Sequence, residues 1–404
     1  MSTALYARFK QIRRSSLYRL AIFMFLIATL IYFVLASMSA NQVDALAIDR
    51  SWVLKTTAER ITSWGVVKWS GIHYESGLDY NQRSTTVLTT IIYDIRWPRV
   101  VMAILVGAAL GVSGAVLQGI FRNPLADPGL IGVSSGAAIA AVIAILLHAN
   151  LQPLLDFVQK SAISPQWLVH WAEDVSGRRL AESLAAATGG WLMTLIVYRL
   201  SRVAGRTSTA NLLLVGLAIN AIGNAVVGVA TFIGNERRTS DITFWSLGSL
   251  KNLTWADVYI TAPIVILGII ILPFYSRQLN IMTLGESEAR NLGVNTARLL
   301  QITVGISALL IGISVGFAGI ITFIGLVVPH IARLLLGPDH RYVLPSSMLG
   351  GAIFLVAADM YGRTLPPPTD TGIAIEVPVG VLTAIVGGPF FLMLVLISQR
   401  QRGQ

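Results

Sequence analysis

The chain has 404 residues, of which 54% are hydrophobic and 12% are charged, and its mean hydropathy is +0.68. Soluble globular domains carry about a quarter of their residues as charges, so this composition excludes an ordinary soluble domain and indicates a polytopic membrane protein. The sequence contains no cysteine. Disulfides, thiolate metal ligands and cysteine nucleophiles are therefore excluded as well.

The sequence predicts an all-α fold, a single membrane domain over 1–404 with about ten transmembrane helices. Apolar runs near the spanning length of about 20 residues occur at 20–38, 99–119, 130–147, 182–200, 210–233, 256–276, 299–319, 322–336, 345–361 and 379–397. The first run is preceded by basic residues and followed by Ala36–Ala40, a pattern that also occurs in cleaved signal peptides. The length of the run favours a retained span.

The distribution of charge predicts the orientation in the membrane. With the N-terminus placed in the cytoplasm, the inner segments carry 16 basic and 4 acidic residues, and the rest of the chain carries 14 and 16. This positive-inside bias places both termini in the cytoplasm, with 1–19 as the cytoplasmic N-terminus and 39–95 as a long extracytoplasmic segment. The net charge of +10 is thereby explained by topology, and we expect no nucleic-acid partner.

Two polar segments interrupt the apolar chain on the predicted inner side. Phe121–Pro128 carries charges and two prolines between apolar runs, which predicts a stiff turn at the membrane surface. The loop 277–298 predicts a short helix over Thr283–Arg290, with an acidic first turn and a basic last turn, and a second from Asn295. This loop is either a rigid projection that a partner moves or a plain connector.

The spans contain little that performs chemistry. The sequence has no Gly-x-x-x-x-Gly-Lys-Ser/Thr motif for nucleotide phosphates, and no nucleophile–base or carboxylate pair that an intramembrane enzyme needs. Asp359 and Arg363 have the i,i+4 spacing of a local ion pair. Asn220 and Asn224 give one span a polar stripe, which either lines a transport pathway or forms interhelical hydrogen bonds. The sequence thus indicates a transporter that is not an enzyme and has no energy source of its own.

A faint internal duplication is also present. Gly114-Ala-Val precedes Pro124 by ten positions, and Gly319-Ile-Ile precedes Pro329 by ten. The two predicted spans run in opposite directions, as an inverted-topology repeat requires.

Several longer motifs together identify a family. They are Arg96–Arg99, Gly114–Gly136, Phe244–Ser249, Leu284–Val294, Gly325–His330, Gly337–His340 and Val377–Thr383. In order and spacing they resemble, over residues 90–400, the permease subunits of ABC importers for iron complexes, haem and vitamin B12.

The resemblance implies an inverted-repeat, type II importer permease in the cytoplasmic (inner) membrane, embedded in the lipid bilayer. It implies a homodimer with a second copy of the chain, two ATP-binding cassette subunits that bind ATP-Mg, and an extracytoplasmic substrate-binding protein. We expect no cofactor and no metal on this chain, and no catalytic residues.

The resemblance also assigns roles to individual residues. Binding-protein docking falls to Arg96, Arg99 and Arg363, and the cytoplasmic gate to Asn123, Leu125, Ser208 and Thr209. ATPase coupling falls to the inner loop, at Leu284, Gly285, Glu286, Glu288, Ala289, Arg290, Leu292 and Gly293.

The segment Arg237–Leu250 is most similar to haem-importing members, so haem is the favoured substrate. A ferric siderophore or another ferric chelate, or cobalamin, is the alternative within the same family. A gradient-driven secondary transporter is a more distant alternative.

Overall fold

The structure, a computed structural model, describes residues 16–39, 90–124, 126–127, 129, 132–147, 151–160, 176–203, 206–207, 209–234, 236–364 and 376–402. Most of the predicted extracytoplasmic segment 39–95 lies outside this part of the chain. Within it, the fold is helical except for one short antiparallel pairing of β1 (Arg202–Val203) with β2 (Arg206–Thr207).

The helices are numbered along the chain and comprise long spans and short connecting elements. A π-helical turn at Ile91–Arg96 leads into α2, and a 3-10 turn at Leu272–Tyr275 joins α8 to α9. The bounds are α1 Ser16–Ser39, α2 Trp97–Ile120, α3 Val133–Leu146, α4 Gln152–Lys160, α5 Gly177–Leu200, α6 Thr209–Ile233, α7 Glu236–Ser246, α8 Trp255–Ile271, α9 Ser276–Met282, α10 Glu286–Asn291, α11 Thr296–Ala318, α12 Ile324–Leu336, α13 His340–Thr364 and α14 Val379–Arg402.

The ten predicted spans are confirmed as helices. Seven are long and apolar enough to cross a bilayer, and they comprise all or most of α1, α2, α5, α6, α8, α11 and α13. Three shorter apolar helices, α3, α12 and the apolar part of α14, account for the remaining predicted runs. The run predicted at 322–336 is the shortest of these helices, with 13 residues in α12.

The centre of the bundle is the pair α2 and α13. A Cβ added to Gly107 would overlap the backbone carbonyl of Gly351, and one added to Gly111 would overlap that of Ser347. The two backbones therefore touch, which only residues without a side chain allow. This close approach fixes the ends of both helices relative to each other.

A second contact of the same kind joins α5 to α11 and α3. Cβ atoms at Gly312 and Gly316 of α11 would meet the carbonyl oxygens of Ala187 and Ser183 on α5. On the other side, a Cβ at Gly136 of α3 would overlap Met193 of α5. Small residues thus determine which helices are neighbours throughout the bundle.

The two halves of the faint duplication lie in different local structures. Gly114 is inside α2 and Pro124 is in the turn after it, whereas Gly319 ends α11 and Pro329 lies inside α12. The equal spacing of the two motifs therefore does not place their glycines or their prolines at equivalent positions in the helices. Gly114 has a packing role instead, because a Cβ there would overlap the backbone of Gly325 at the start of α12.

Candidate functional sites at the two ends of the bundle

The three arginines predicted for docking lie together at one end of the bundle. Arg96 and Arg99 stand where the π-helical turn meets α2, and Arg363 stands in the last turn of α13. Because α2 and α13 run antiparallel in close contact, the start of one meets the end of the other. We call Arg96, Arg99, Asp359, Arg363 and Glu376 the arginine cluster.

Asp359 is the centre of the arginine cluster. Arg99 Nε donates to its Oδ1 at 2.8 Å, and Arg363 Nε lies 3.2 Å from its Oδ2. Arg99 Nη1 donates at 2.9 Å to Glu376 Oε2, just before α14. The ion pair between Asp359 and Arg363 predicted from sequence is thus present. Sequence spacing does not predict Arg99 as a partner, because Arg99 lies 260 residues from Asp359.

The arginines also fix α1 to the centre of the bundle. Arg363 Nη2 donates to the carbonyl and hydroxyl oxygens of Ser37, and Arg96 Nη1 donates to the carbonyl oxygen of Met38. These acceptors lie at the end of α1, so four segments meet at the cluster.

The cluster is largely hidden from solvent within one chain. Arg99 is 9% exposed, Arg363 8% and Asp359 2%. Buried charges are tolerated when each has a partner, and removal of one partner is costly. The docking role of these arginines stays a prediction; the structure adds that Arg99 and Arg363 already have carboxylate partners within the chain.

The predicted coupling segment lies at the opposite end. It forms the two short helices α9 and α10, which we call the short-helix pair. The helix predicted over Thr283–Arg290 begins three residues later, at Glu286, because Gly285 at φ +128° separates it from α9. The second helix predicted from Asn295 is instead the start of the long α11, with Asn295 Oδ1 accepting from Arg298 N at 3.0 Å.

The short-helix pair has one exposed face and one anchored face. Leu284 is 64% exposed and Leu292 60%, and Glu288, between them in sequence, is exposed too. Ala289 is completely buried, and Gly293 at φ +83° ends α10. Two exposed leucines beside an exposed carboxylate form a surface suited to a protein partner.

Ionic and hydrogen bonds stiffen α10. Arg290 pairs with Glu286 one turn earlier, and Arg290 Nε also donates at 3.1 Å to Thr296 Oγ1 in the first turn of α11. The helix is thus tied to the span that follows it.

Asn280 joins the short-helix pair to α13. Its Nδ2 donates to Asp339 Oδ1 at 2.7 Å, and its Oδ1 accepts from the backbone N of His340 at 2.9 Å. His340 Nδ1 lies 2.8 Å from the same oxygen. The sequence places Gly337–His340 only within the family pattern, and the structure shows that Asp339 and His340 contact Asn280. These contacts connect the short-helix pair directly to the start of α13.

The predicted gate is only partly described. Asn123 lies in the turn after α2, where its N–H donates to the carbonyl of Gln118 at 3.2 Å and its carbonyl accepts from Ala126 N at 3.1 Å. Leu125 and Ser208 lie outside the described residues. Thr209 begins α6.

The same turn contains a carboxylate with a local partner. Gly129 N donates to Asp127 Oδ1 at 2.6 Å. Burial raises the pKa of Asp127 above its ordinary value, and the hydrogen bond from Gly129 acts in the opposite direction. The predicted sharp turn after α2 is present, with Arg122 at φ +50°.

The two asparagines of the predicted polar stripe have different surroundings. Asn220 is hydrogen-bonded to Ser135 Oγ of α3, at a point where Gly223 packs against Ser135. Asn224, one turn later on α6, is exposed. The exposed part of α6 also carries large apolar side chains, at Leu214, Leu217, Ile222, Val229, Phe232 and Ile233.

Among the described residues, no group of three or more His, Asp or Glu side chains has the arrangement of a metal site. The two ends of the bundle carry ion pairs, and the described spans between them are packed with small and apolar residues.

Comparison with known proteins identifies the family. The model of the FecCD transport family matches residues 61–397. The chain belongs to the FecCD transport family. As an ABC importer permease of this type, it is a multi-pass protein of the cytoplasmic membrane.

The relatives of this FecCD permease transport different compounds. It is 40% identical over 323 residues to the hemin transport system permease protein of Yersinia pestis, covering 80% of this chain and 88% of that protein. It is 36% identical over 360 residues to the cobalamin import system permease protein of Halobacterium salinarum, covering 89% and 87%.

A solved structure supports the fold of the FecCD permease. An inward-facing conformation of a metal-chelate type ABC transporter superposes with a TM-score of 0.68 at 27% identity. The match covers 93% of this chain and 99% of that one.

Proposed function

We propose that this FecCD permease moves haem across the cytoplasmic membrane as the transmembrane subunit of an ATP-driven importer. The observation that carries the proposal is the 40% identity to a hemin permease over most of both chains. A cobalamin permease at 36% makes cobalamin the second candidate, and a ferric siderophore is the third. Haem or the ferric chelate is the cargo, and the chain itself holds no cofactor.

Uptake by the reconstituted transporter tests the choice of substrate. Proteoliposomes containing the permease, its ATPase and its binding protein are offered haem, cobalamin or a ferric siderophore at equal concentration. The proposal predicts ATP-dependent accumulation of haem alone. Accumulation of cobalamin or the siderophore without haem would contradict it while leaving the family assignment intact.

We infer that the arginine cluster is the docking site for acidic residues of an extracytoplasmic binding protein. A guanidinium group has several N–H donors that can pair with carboxylates at once, and Arg99 uses Nε towards Asp359 and Nη1 towards Glu376. Glu376, with its side chain 23% exposed, is the outer of the two acids. An incoming carboxylate would replace it more readily than Asp359. Both termini are then cytoplasmic, at the other side of the membrane.

We infer that each copy of the permease contacts one ATP-binding cassette subunit through its short-helix pair, so that two copies bind two such subunits. The exposed Leu284 and Leu292 supply the apolar contact, and Asn280 transmits the motion to α13. Leu284→Asp and Leu292→Asp together should abolish co-purification of the ATPase and ATP-dependent uptake without affecting membrane insertion. Ala297→Asp, at an exposed position in the first turn of α11, is the matched control and should leave both intact.

We infer further that α6 faces a second copy of the chain and that the pathway runs between the copies. An exposed apolar face with the polar Asn224 at its edge suits an interface that borders an aqueous route. Because the chain contains no cysteine, Asn224→Cys provides a single cross-linking site. Disulfide-linked dimers are expected on oxidation, and Phe274→Cys, exposed on the 3-10 turn after α8, should give none.

A further inference from the structure

An apolar groove runs along the outside of the bundle between α1, α12 and α13. Its volume is about 320 Å³. The lining from α1 is Ile22, Leu26 and Phe33, and the opposite wall includes Leu335 of α12 and Ala357 of α13. Its described lining has almost no polar surface, so water is a poor occupant.

The length of the groove matches one leaflet of a bilayer. From Ile22 to Phe33, the α1 residues that line the groove, the helix advances 11 residues, or about 17 Å at 1.5 Å per residue. Half of the hydrocarbon core is about 15 Å thick. An acyl chain lying along α1 from the headgroup level would therefore extend over the whole groove.

A positive charge stands at one end of this groove. Arg19 lies one turn before Ile22 on the same face of α1, and its Cζ is 4.0 Å from the centroid of the Tyr342 ring. Stacking on the ring holds the guanidinium in place. Arg19 Nε is buried and has no hydrogen-bond partner among the described residues. A buried N–H group without an acceptor destabilises a protein. A ligand that supplies an acceptor at this end of the groove would therefore bind favourably.

We propose that the groove binds one anionic phospholipid, with the headgroup phosphate accepting hydrogen bonds from Arg19 and one acyl chain lying against α1, α12 and α13. The guanidinium of Arg19 lies at the end of an apolar groove about as long as one leaflet is thick. The guanidinium suits the anionic headgroup of such a lipid, and the groove suits its acyl chain. Basic residues at the membrane surface select anionic headgroups in this way. The proposal depends on the fold and on the membrane, and it is independent of the transported substrate.

Native mass spectrometry of the full-length protein in mild detergent tests this site. The probes are dioleoyl phosphatidylglycerol and dioleoyl phosphatidylcholine, which share their acyl chains and differ in headgroup charge. The wild-type protein should retain one phosphatidylglycerol per chain, about fivefold more than phosphatidylcholine, the factor expected for one cation near the surface. Equal retention of the two lipids would overturn the proposal.

Variants of Arg19 separate charge from folding. Arg19→Gln should lower phosphatidylglycerol retention about fivefold and leave phosphatidylcholine unchanged, and Arg19→Lys should retain most of the preference. Arg298→Gln, which removes an exposed cation in the first turn of α11, is the control and should behave as wild type. Unchanged retention in Arg19→Gln would contradict the assignment.

Variants of the groove wall test the acyl-chain half of the site. Ala357→Phe should lower the retention of both lipids equally, and Leu26→Trp on the opposite wall gives the same test if the first variant does not fold. Inorganic phosphate added to the wild type should displace no lipid. Displacement would mean a free-anion site and would overturn the proposal.

Discussion

The α2–α13 pair and α6 are built from similarly apolar sequence, yet their surroundings are opposite. In the most apolar stretch of the span that contains α2, 89% of the residues are buried, against 17% for α6. In α2, Gly107 and Gly111 allow the backbone of α13 to touch, and ion pairs tie the helix ends. The exposed face of α6 has large side chains instead. The first region provides a rigid frame, and the second leaves a surface free for another molecule.

The largest expected effect comes from breaking the frame at its charged end. Asp359→Asn leaves Arg99 and Arg363 buried without their shared carboxylate, so the free energy of unfolding in mixed micelles should fall by about 3–5 kcal/mol. Glu376→Gln is the control, because Arg99 keeps Asp359, and it should cost less than about 1 kcal/mol. Similar losses in both variants would mean that Asp359 is not the centre of the cluster.

A smaller effect is expected in the middle of the pair. Gly111→Ala places a methyl group on the carbonyl of Ser347, and such overpacking should cost about 1–3 kcal/mol of unfolding free energy. Gly228→Ala on α6 is the control: it is the same substitution, but nothing lies within 4 Å of the added Cβ. That variant should be neutral or stabilised by up to about 1 kcal/mol. A loss as large as that of Gly111→Ala would refute the contrast between the two helices.

The tie between the short-helix pair and α13 should contribute less to stability. Asn280→Ala removes the acceptor of His340 N and the donor to Asp339, and should cost about 1–2 kcal/mol of unfolding free energy. It should also reduce the stimulation of ATP hydrolysis by the loaded binding protein more than it reduces basal hydrolysis. Asn291→Ala, exposed at the end of α10, should change neither measurement. Equal reduction of basal and stimulated rates by Asn280→Ala would argue against a transmitting role.

The smallest effect on stability is expected on α6. Asn224→Leu lies on an exposed face and should change the unfolding free energy by less than about 0.5 kcal/mol. If the face borders the pathway, the initial rate of haem uptake should fall about fivefold, as for one lost polar contact of roughly 1 kcal/mol. An unchanged uptake rate would remove Asn224 from the pathway. Leu217→Ala on the same helix provides a comparison without a change of polarity.

Much of the fold could be predicted because hydropathy is a local property. The ten spans and the Asp359–Arg363 pair follow from residues close together in sequence. The link from Arg99 to Asp359 could not be predicted, because it depends on which spans pack together, and small residues that allow close packing occur in most of the spans. The prediction of a second short helix from Asn295 was wrong for a related reason: capping residues mark where a helix begins but give no sign of its length.

The candidate site was less predictable than the fold. The family motifs located the arginines and the coupling segment, but gave no sign that Arg99 and Arg363 are buried and paired within the chain. Nor did they predict Asn280, whose contacts to Asp339 and His340 connect segments about 60 residues apart. These features arise from tertiary packing and become visible only when the helices are assembled.

The central claim, that the chain is a passive permease driven by a separate ATPase, is tested most directly by haem uptake into proteoliposomes. Proteoliposomes with the permease, its ATPase subunits and the loaded binding protein should accumulate haem. They should do so only when ATP and Mg²⁺ are present on the side of the membrane that carries the ATPase. Permease alone should accumulate none. Accumulation against a gradient by the permease alone, driven by a proton or sodium gradient, would contradict the account.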